Sequence, residues 1–225
     1  MERLPDGTER ETERQDIKNR SATPVPLQHR LVEALHQLAP RMDGIIVADQ
    51  VPEENCGTIT AHVREALSAL ARELADKPIA VDSRARIGAF EGLMLKPNER
   101  EAWMAVHGCP PKAPPTLDEA AACGLALHDR AGRPVFVTVG ARGVLVIDKD
   151  QVTHVPAPPV TGPIDIVGAG DSAMAAIVTA LCAGATPVEA AEVANLVASI
   201  TIQQLGTTGT ATPAQVLARF RKVAQ

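Results

Sequence analysis

Apolar residues alternate between two rhythms along most of the chain. Stretches with leucines three or four residues apart give way to short unbroken apolar runs and then return. Leu31, Leu35 and Leu38, with Val32 beside them, predict a first helix. Gly44 opens Ile45-Ile46-Val47-Ala48, a run that ends at Asp49 and reads as a buried parallel strand. A loop at 52–57 follows. Ile59, Val63, Leu67, Leu70 and Leu74 then mark one face of a second helix. Pro78 stops it, and Ile79-Ala80-Val81 gives another strand, closed by Asp82. Leu93-Met94-Leu95 is a strand candidate, and Pro97-Asn98 opens a helix holding Glu101 and Trp103. After a Gly/Pro/Lys loop at 108–115, Thr116 and Glu119 form a capping box for a helix to about Arg130.

The strongest strand is 134–139. A tight turn, Gly140 to Gly143, leads to a hairpin of 144–147 and 152–155 across Asp148-Lys149-Asp150. The proline-rich approach at 156–163 precedes a helix from about Gly170 to Cys182. Thr186-Pro187-Val188-Glu189 starts the next helix, with Val193, Val197, Ile200 and Leu205 on or near one face. A Gly/Thr loop at 206–212 and a last helix ending at Phe220 complete the pattern. This β-α-β rhythm predicts an α/β fold, a parallel sheet with helices on both faces. Such sheets hold ligands beyond the carboxyl ends of their strands, where Asp49, Asp82, Lys96 and Thr138 fall. Residues 1–30 lack the rhythm and read as a polar arm, leaving 31–225 as the folded portion.

Composition refines this picture. With one Trp, three Phe and no Tyr among 225 residues, the core must be built from Ala, Val, Leu and Ile. A net charge of −5 without a dense basic run argues against nucleic acid as a partner. The four cysteines are widely spaced and form no CxxC pair, which suits reduced thiols in a cytoplasmic protein. Cys182, within an apolar helix, is expected in the core. The histidines show no HExxH pattern, so zinc is not expected. There is no signal-peptide pattern and no apolar run long enough to span a bilayer.

Three stretches could carry chemistry. Gly168-Ala169-Gly170-Asp171, where a glycine turn enters a helix, could hold an anion against unpaired N–H groups beside a carboxylate base; a simple turn with an Asp cap fits as well. Asn98 and Glu101 could flank a hydrated Mg²⁺ or merely form a capping box. Thr138-Val139-Gly140-Ala141-Arg142-Gly143 could let backbone approach a nucleotide's phosphates or be a β-turn, and it is not a Walker loop. Arg84 and Arg86 could contact phosphate or stand solvated.

Together these motifs resemble the ribokinase-like, or PfkB, carbohydrate kinases. Gly168-Ala169-Gly170-Asp171-Ser172 with Asp165 before it resembles the family signature. Asn98-x-x-Glu101 and Thr138-x-Gly140-x-x-Gly143 match two further motifs in the expected order. Asn195, Ala198 and Ser199, then Gly206-Thr207-Thr208-Gly209, resemble the nucleotide end. The likeness covers roughly 30 to 220, nearest to the branch that includes heptose-7-phosphate kinases.

The resemblance implies a three-layer α-β-α Rossmann-like fold and ATP-dependent phosphoryl transfer to a hydroxyl of a sugar or sugar phosphate. It implies that Asp171 is the base and that the N–H groups of Gly168, Ala169, Gly170 and Asp171 form an anion hole. Asn98 and Glu101 would organise Mg²⁺, and Asp165 with the Ile166 carbonyl would hold K⁺. Thr138, Gly140 and Gly143 would meet ATP phosphates or ribose, and Asn195, Ser199 and Gly206 would border adenine. The family's N-terminal half, with its sugar site and lid, is not recognisable. The chain is therefore expected to dimerise or to pair with a missing N-terminal half. The alternatives are a non-catalytic nucleotide-binding or scaffold protein, or one half of a split kinase. A nicotinamide-dependent enzyme is disfavoured, because no GxGxxG follows a first strand.

Overall fold

The computed structural model describes residues 2–3, 9–10 and 19–223. Of the polar arm expected at 1–30, residues 1, 4–8 and 11–18 lie outside the described residues. Six strands form one sheet in simple chain order. They are β1 (Ile45–Asp49), β2 (Ile79–Ser83), β3 (Met94–Leu95), β4 (Val135–Thr138), β5 (Val144–Asp148) and β6 (Gln151–Val155). β1 to β4 are parallel, whereas β4–β5 and β5–β6 are antiparallel. The predicted hairpin is thus a two-strand extension of a parallel sheet.

The helices are α1 (Val25–Leu38), α2 (Ala61–Glu73), α3 (Glu99–His107), α4 (Leu117–Ala131), α5 (Ala169–Cys182), α6 (Pro187–Thr201) and α7 (Pro213–Val223). Alternation along the strands divides the core in two. Val47, Val81, Leu95, Val137 and Ile147 face one cluster, with Leu67 and Leu70 from α2 and Leu127 from α4. Phe136, Val144 and Val146 face the other, with Ile177 from α5 and Ala190 and Ala194 from α6. The connections between parallel strands return over the first face, as a uniform hand of crossover requires. α5 and α6 cover the second, so the three-layer expectation holds.

Three local expectations are corrected. α1 begins at Val25, ahead of Leu31, because a proline at its first turn suits helix initiation. Leu205 lies beyond α6 and is 54% exposed. The fully buried face of α6 is made of smaller residues, Ala190, Ala191 and Ala194, which let α5 approach closely. Cys182, expected in the core, is exposed at the last residue of α5.

Candidate functional site

A cavity of about 930 Å³ opens beyond the carboxyl ends of the parallel strands. Its wall joins the three stretches that sequence left apart: Asn98 and Glu101, then Thr138 to Gly143, then Gly168 to Asp171. Their meeting has a local cause in each case.

Asn98 caps α3. Its Oδ1 accepts the Glu101 N–H at 2.8 Å, and Glu101 Oε2 accepts the Asn98 N–H at 2.8 Å. The capping-box alternative is therefore realised, and the second Glu101 carboxylate oxygen is the one left for a cation. Burial pushes the Glu101 carboxyl above the ordinary range, against the Asn98 N–H bond; the Asp82 carboxylate adds to the rise, while Lys96 and Arg84 oppose it. A parallel bridge joins Asn98 to Thr138, whose N–H donates to the Pro97 carbonyl at 2.9 Å. Gly143 then adopts φ 101° where a Cβ would stand 2.1 Å from the Val155 carbonyl oxygen, so the turn must have glycine here. Arg142 fastens the same turn by pairing with Glu99 and donating to the Pro115 carbonyl. That anchor was not singled out from the sequence.

At the third stretch Gly168 is the left-handed N-cap of α5, φ 78°, and supplies no side-chain cap. The Ala169 N–H turns back to the Ile166 carbonyl at 3.1 Å, and the Ser172 N–H reaches the Gly168 carbonyl at 2.9 Å. Among the described residues, the N–H groups of Gly170 and Asp171 donate to no protein acceptor. An anion hole using all four N–H groups is thus narrowed, since Ala169 is already committed. Asp171 stands exposed in the first turn of α5, at the end where N–H groups and helix dipole favour negative charge.

The remaining predicted residues divide. Asn195 and Ser199 line the cavity. Their polar groups are engaged: Asn195 Nδ2 donates to the Val155 carbonyl at 2.9 Å, and Ser199 Oγ accepts from Arg219 at 3.0 Å. They shape the wall more than they offer free donors. Gly206 is not among the lining residues; its N–H donates to Asp165 Oδ2 at 3.0 Å, while Oδ1 accepts the Val167 N–H at 3.0 Å. Asp165 therefore ties the turn before α5 to the Gly/Thr loop. Ile166 reaches the cavity, with its carbonyl receiving Ala169.

Two charged residues that sequence placed only at strand ends prove central. Lys96, 3% exposed, lines the cavity with its Nζ 3.1 Å from Asp82. Its sequence signal was a lysine closing an apolar run immediately before Pro97. Arg84 also lines the cavity, but Arg86 does not; it is bound to buried Asp49 at 2.8 Å. The phosphate alternative for Arg86 is thereby corrected to a structural ion pair.

The donor set suits a magnesium-bound polyphosphate: free N–H groups at a helix start, a buried ammonium, and a half-buried carboxylate whose raised affinity for protons a cation would relieve. No described helix is long and apolar enough to cross a membrane.

A family model described as pfkB family carbohydrate kinase matches residues 41–215. The bifunctional protein HldE of Hyphomonas neptunium is 31% identical over 200 residues, covering 86% of this chain and 39% of that protein. The HldE of Bradyrhizobium diazoefficiens is 32% identical over 184 residues, covering 80% of this chain and 35% of that protein. Among solved structures, phosphofructokinase-2 from Escherichia coli in complex with potassium is similar with a TM-score of 0.69 and 20% identity, over 91% of this chain and 64% of that one. Arabidopsis thaliana ribokinase complexed with ribose and ATP gives 0.62 and 20% identity, over 89% and 60%. The chain spans well under half the length of these HldE relatives.

Proposed function

Because the chain belongs to the pfkB family of carbohydrate kinases, we propose that its cavity performs ATP-dependent phosphoryl transfer to a hydroxyl of a sugar or sugar phosphate. The observation that carries this is the convergence, in one cavity, of Asp171 and the free N–H groups at the start of α5 with Lys96, Glu101 and the Thr138–Gly143 turn. Phosphoryl transfer asks for positioning and charge neutralisation with little covalent help from protein. The acceptor oxygen bonds to the terminal phosphorus as the bond to the bridging oxygen breaks. Asp171 takes the hydroxyl proton and ADP leaves with the bridging electrons. The Gly170 and Asp171 N–H groups receive the charge on the transferring group. Gly140 and Gly143 bring backbone to the nucleotide, and Asn195 and Ser199 shape its far wall.

Mg²⁺ beside Glu101 would neutralise phosphate charge. Asp165, with both oxygens already bridging two loops, is suited to a monovalent cation such as K⁺ at its remaining lone pairs. A reducing, cytoplasmic setting agrees with four free cysteines. The resemblance of the sequence motifs to the branch that includes heptose-7-phosphate kinases points to a heptose phosphate as acceptor class.

The deciding experiment is Asp171→Asn. Turnover should fall by about 10²- to 10⁴-fold, the usual contribution of a general base, with ATP affinity largely kept. Unchanged turnover would remove Asp171 from the mechanism. A second reading rests on length. A chain covering 39% of the HldE relative and 64% of phosphofructokinase-2 could bind nucleotide while depending on a further polypeptide for the sugar site. Nucleotide binding without phosphorylation of any sugar by the chain alone would favour it.

A further inference from the structure

We propose that His128, Asp129 and Asp150 form a binding site for a divalent cation of the zinc class, separate from the cavity, and that the bound ion ties α4 to the turn between β5 and β6.

One ligand atom from each of the three residues lies within 4.8 Å of the other two. His128 and Asp129 stand in the last turn of α4, and Asp150 belongs to the two-residue turn that joins β5 to β6. None of the three lines the cavity. The cavity lies beyond the carboxyl ends of the parallel strands. β5 runs antiparallel to β4, so its end at Asp148 returns to the opposite end of the sheet, where α4 also finishes ahead of β4. The group is therefore remote from the proposed phosphoryl transfer and takes no part in it.

The first observation that points to a cation is His128 Nδ1. It is shielded from solvent and has no hydrogen-bond partner among the described residues. A ring nitrogen left dry and unpaired costs free energy unless something else occupies it. The atom that faces it is Asp150 Oδ1, 3.7 Å away. That gap is too long for a hydrogen bond. It suits a shared ion, because ligand atoms about 2.0–2.2 Å from one zinc stand no more than about 4.4 Å apart. Asp129 is exposed and the Asp150 side chain is 85% exposed, so both carboxylates are free to close the remaining distance.

The second observation is the chemistry of the donor set. One imidazole nitrogen and two carboxylates suit zinc and its neighbours in the first transition row, with water completing the coordination. The carbonyl end of α4 adds its own preference for positive charge. Arg130, the neighbouring cation on that helix, donates to the Ala105 carbonyl at 3.3 Å. Lys149 and Asp150 have φ of 50° and 60°, the left-handed conformation that this tight hairpin requires at both positions. Asp tolerates it, so one residue supplies both the turn and a ligand. The lack of an HExxH pattern concerned spacing along the chain, whereas these donors come from two elements that only the fold brings together.

The test is isothermal titration of the full chain with Zn²⁺ alone, alongside thermal unfolding with and without the metal. Zn²⁺ should bind saturably and, at 100 times its measured Kd, raise the melting temperature by about 5–10 °C. His128→Gln and Asp150→Asn should each weaken binding at least about 10-fold and remove that rise, whereas His36→Gln, on an exposed part of α1, should change neither. Should His128→Gln fold poorly, Asp150→Asn decides, since it is exposed and asparagine suits the same turn conformation. No saturable binding, or undiminished binding by Asp150→Asn, overturns the proposal. Binding lost in His128→Gln but kept in Asp150→Asn reveals a lone imidazole ligand and overturns the shared site as well.

Discussion

Glu101 serves two purposes that pull its proton in opposite directions. As the acid of a capping box it accepts the Asn98 N–H, which favours the carboxylate; burial and the Asp82 carboxylate favour the neutral acid and prevail. The folded protein therefore holds this proton more tightly than the unfolded chain does. Stability linked to Glu101 is present at and below the ordinary glutamate range and is lost as pH rises through the elevated value. Urea unfolding across this acidic window should show that loss, and Glu101→Gln, which can still accept the cap bond, should flatten it. If the pH profile of the Gln variant matches that of the unmodified protein, the assignment fails. The same carboxyl should release its proton as Mg²⁺ binds, measurable as a dependence of binding enthalpy on buffer ionisation.

At the level of elements, the backbone crossing at Gly143 is the least forgiving. Gly143→Ala places a methyl against the Val155 carbonyl and the Ala157 N–H, both main-chain groups, in a conformation that already disfavours side chains. The cost should be about 2–4 kcal/mol in urea unfolding, the range for combined strain and overpacking. Thr186→Ala, which removes the cap of α6 but touches no ligand, should cost about 1 kcal/mol and lower the melting temperature without changing nucleotide affinity. These two sites also show what could be read from sequence. The capping boxes at Asn98, Thr116 and Thr186 were legible because their signal is local: one acceptor and one acid three residues on. The strands were legible from unbroken apolar runs. The start of α1 was not, since that helix fully buries none of its residues and so leaves a weak pattern. In the site, Asp171 and the glycines were visible in one short motif. Lys96 meeting Gly170, and Ala169 spending its N–H on Ile166, depend on how separate stretches turn toward each other, which no spacing encodes.

For the whole molecule, the unequal edges of the sheet matter most. β6 ends an antiparallel meander, whereas β1 pairs with β2 on one side, and among the described residues its other edge is open. Ile46 on that strand is 46% exposed, with Met42 nearby in sequence at 42%. An open edge with apolar neighbours invites pairing. Sedimentation velocity should therefore reveal self-association rising with concentration, and Ile46→Lys should reduce it; a monomer at all concentrations would argue against this edge as a self-pairing surface. The strand order has a further consequence, one of timing. Each strand lies beside its predecessor, yet the parallel pairings join residues far apart in sequence, Ile45 with Ile79 and Leu95 with Val135, a non-local topology associated with slower folding. A chain emerging from the ribosome can add strands in the order in which it makes them. α5, which carries Asp171, follows all six. The proposed base is thus among the last parts to be placed, on a sheet whose strands have all been synthesised before it.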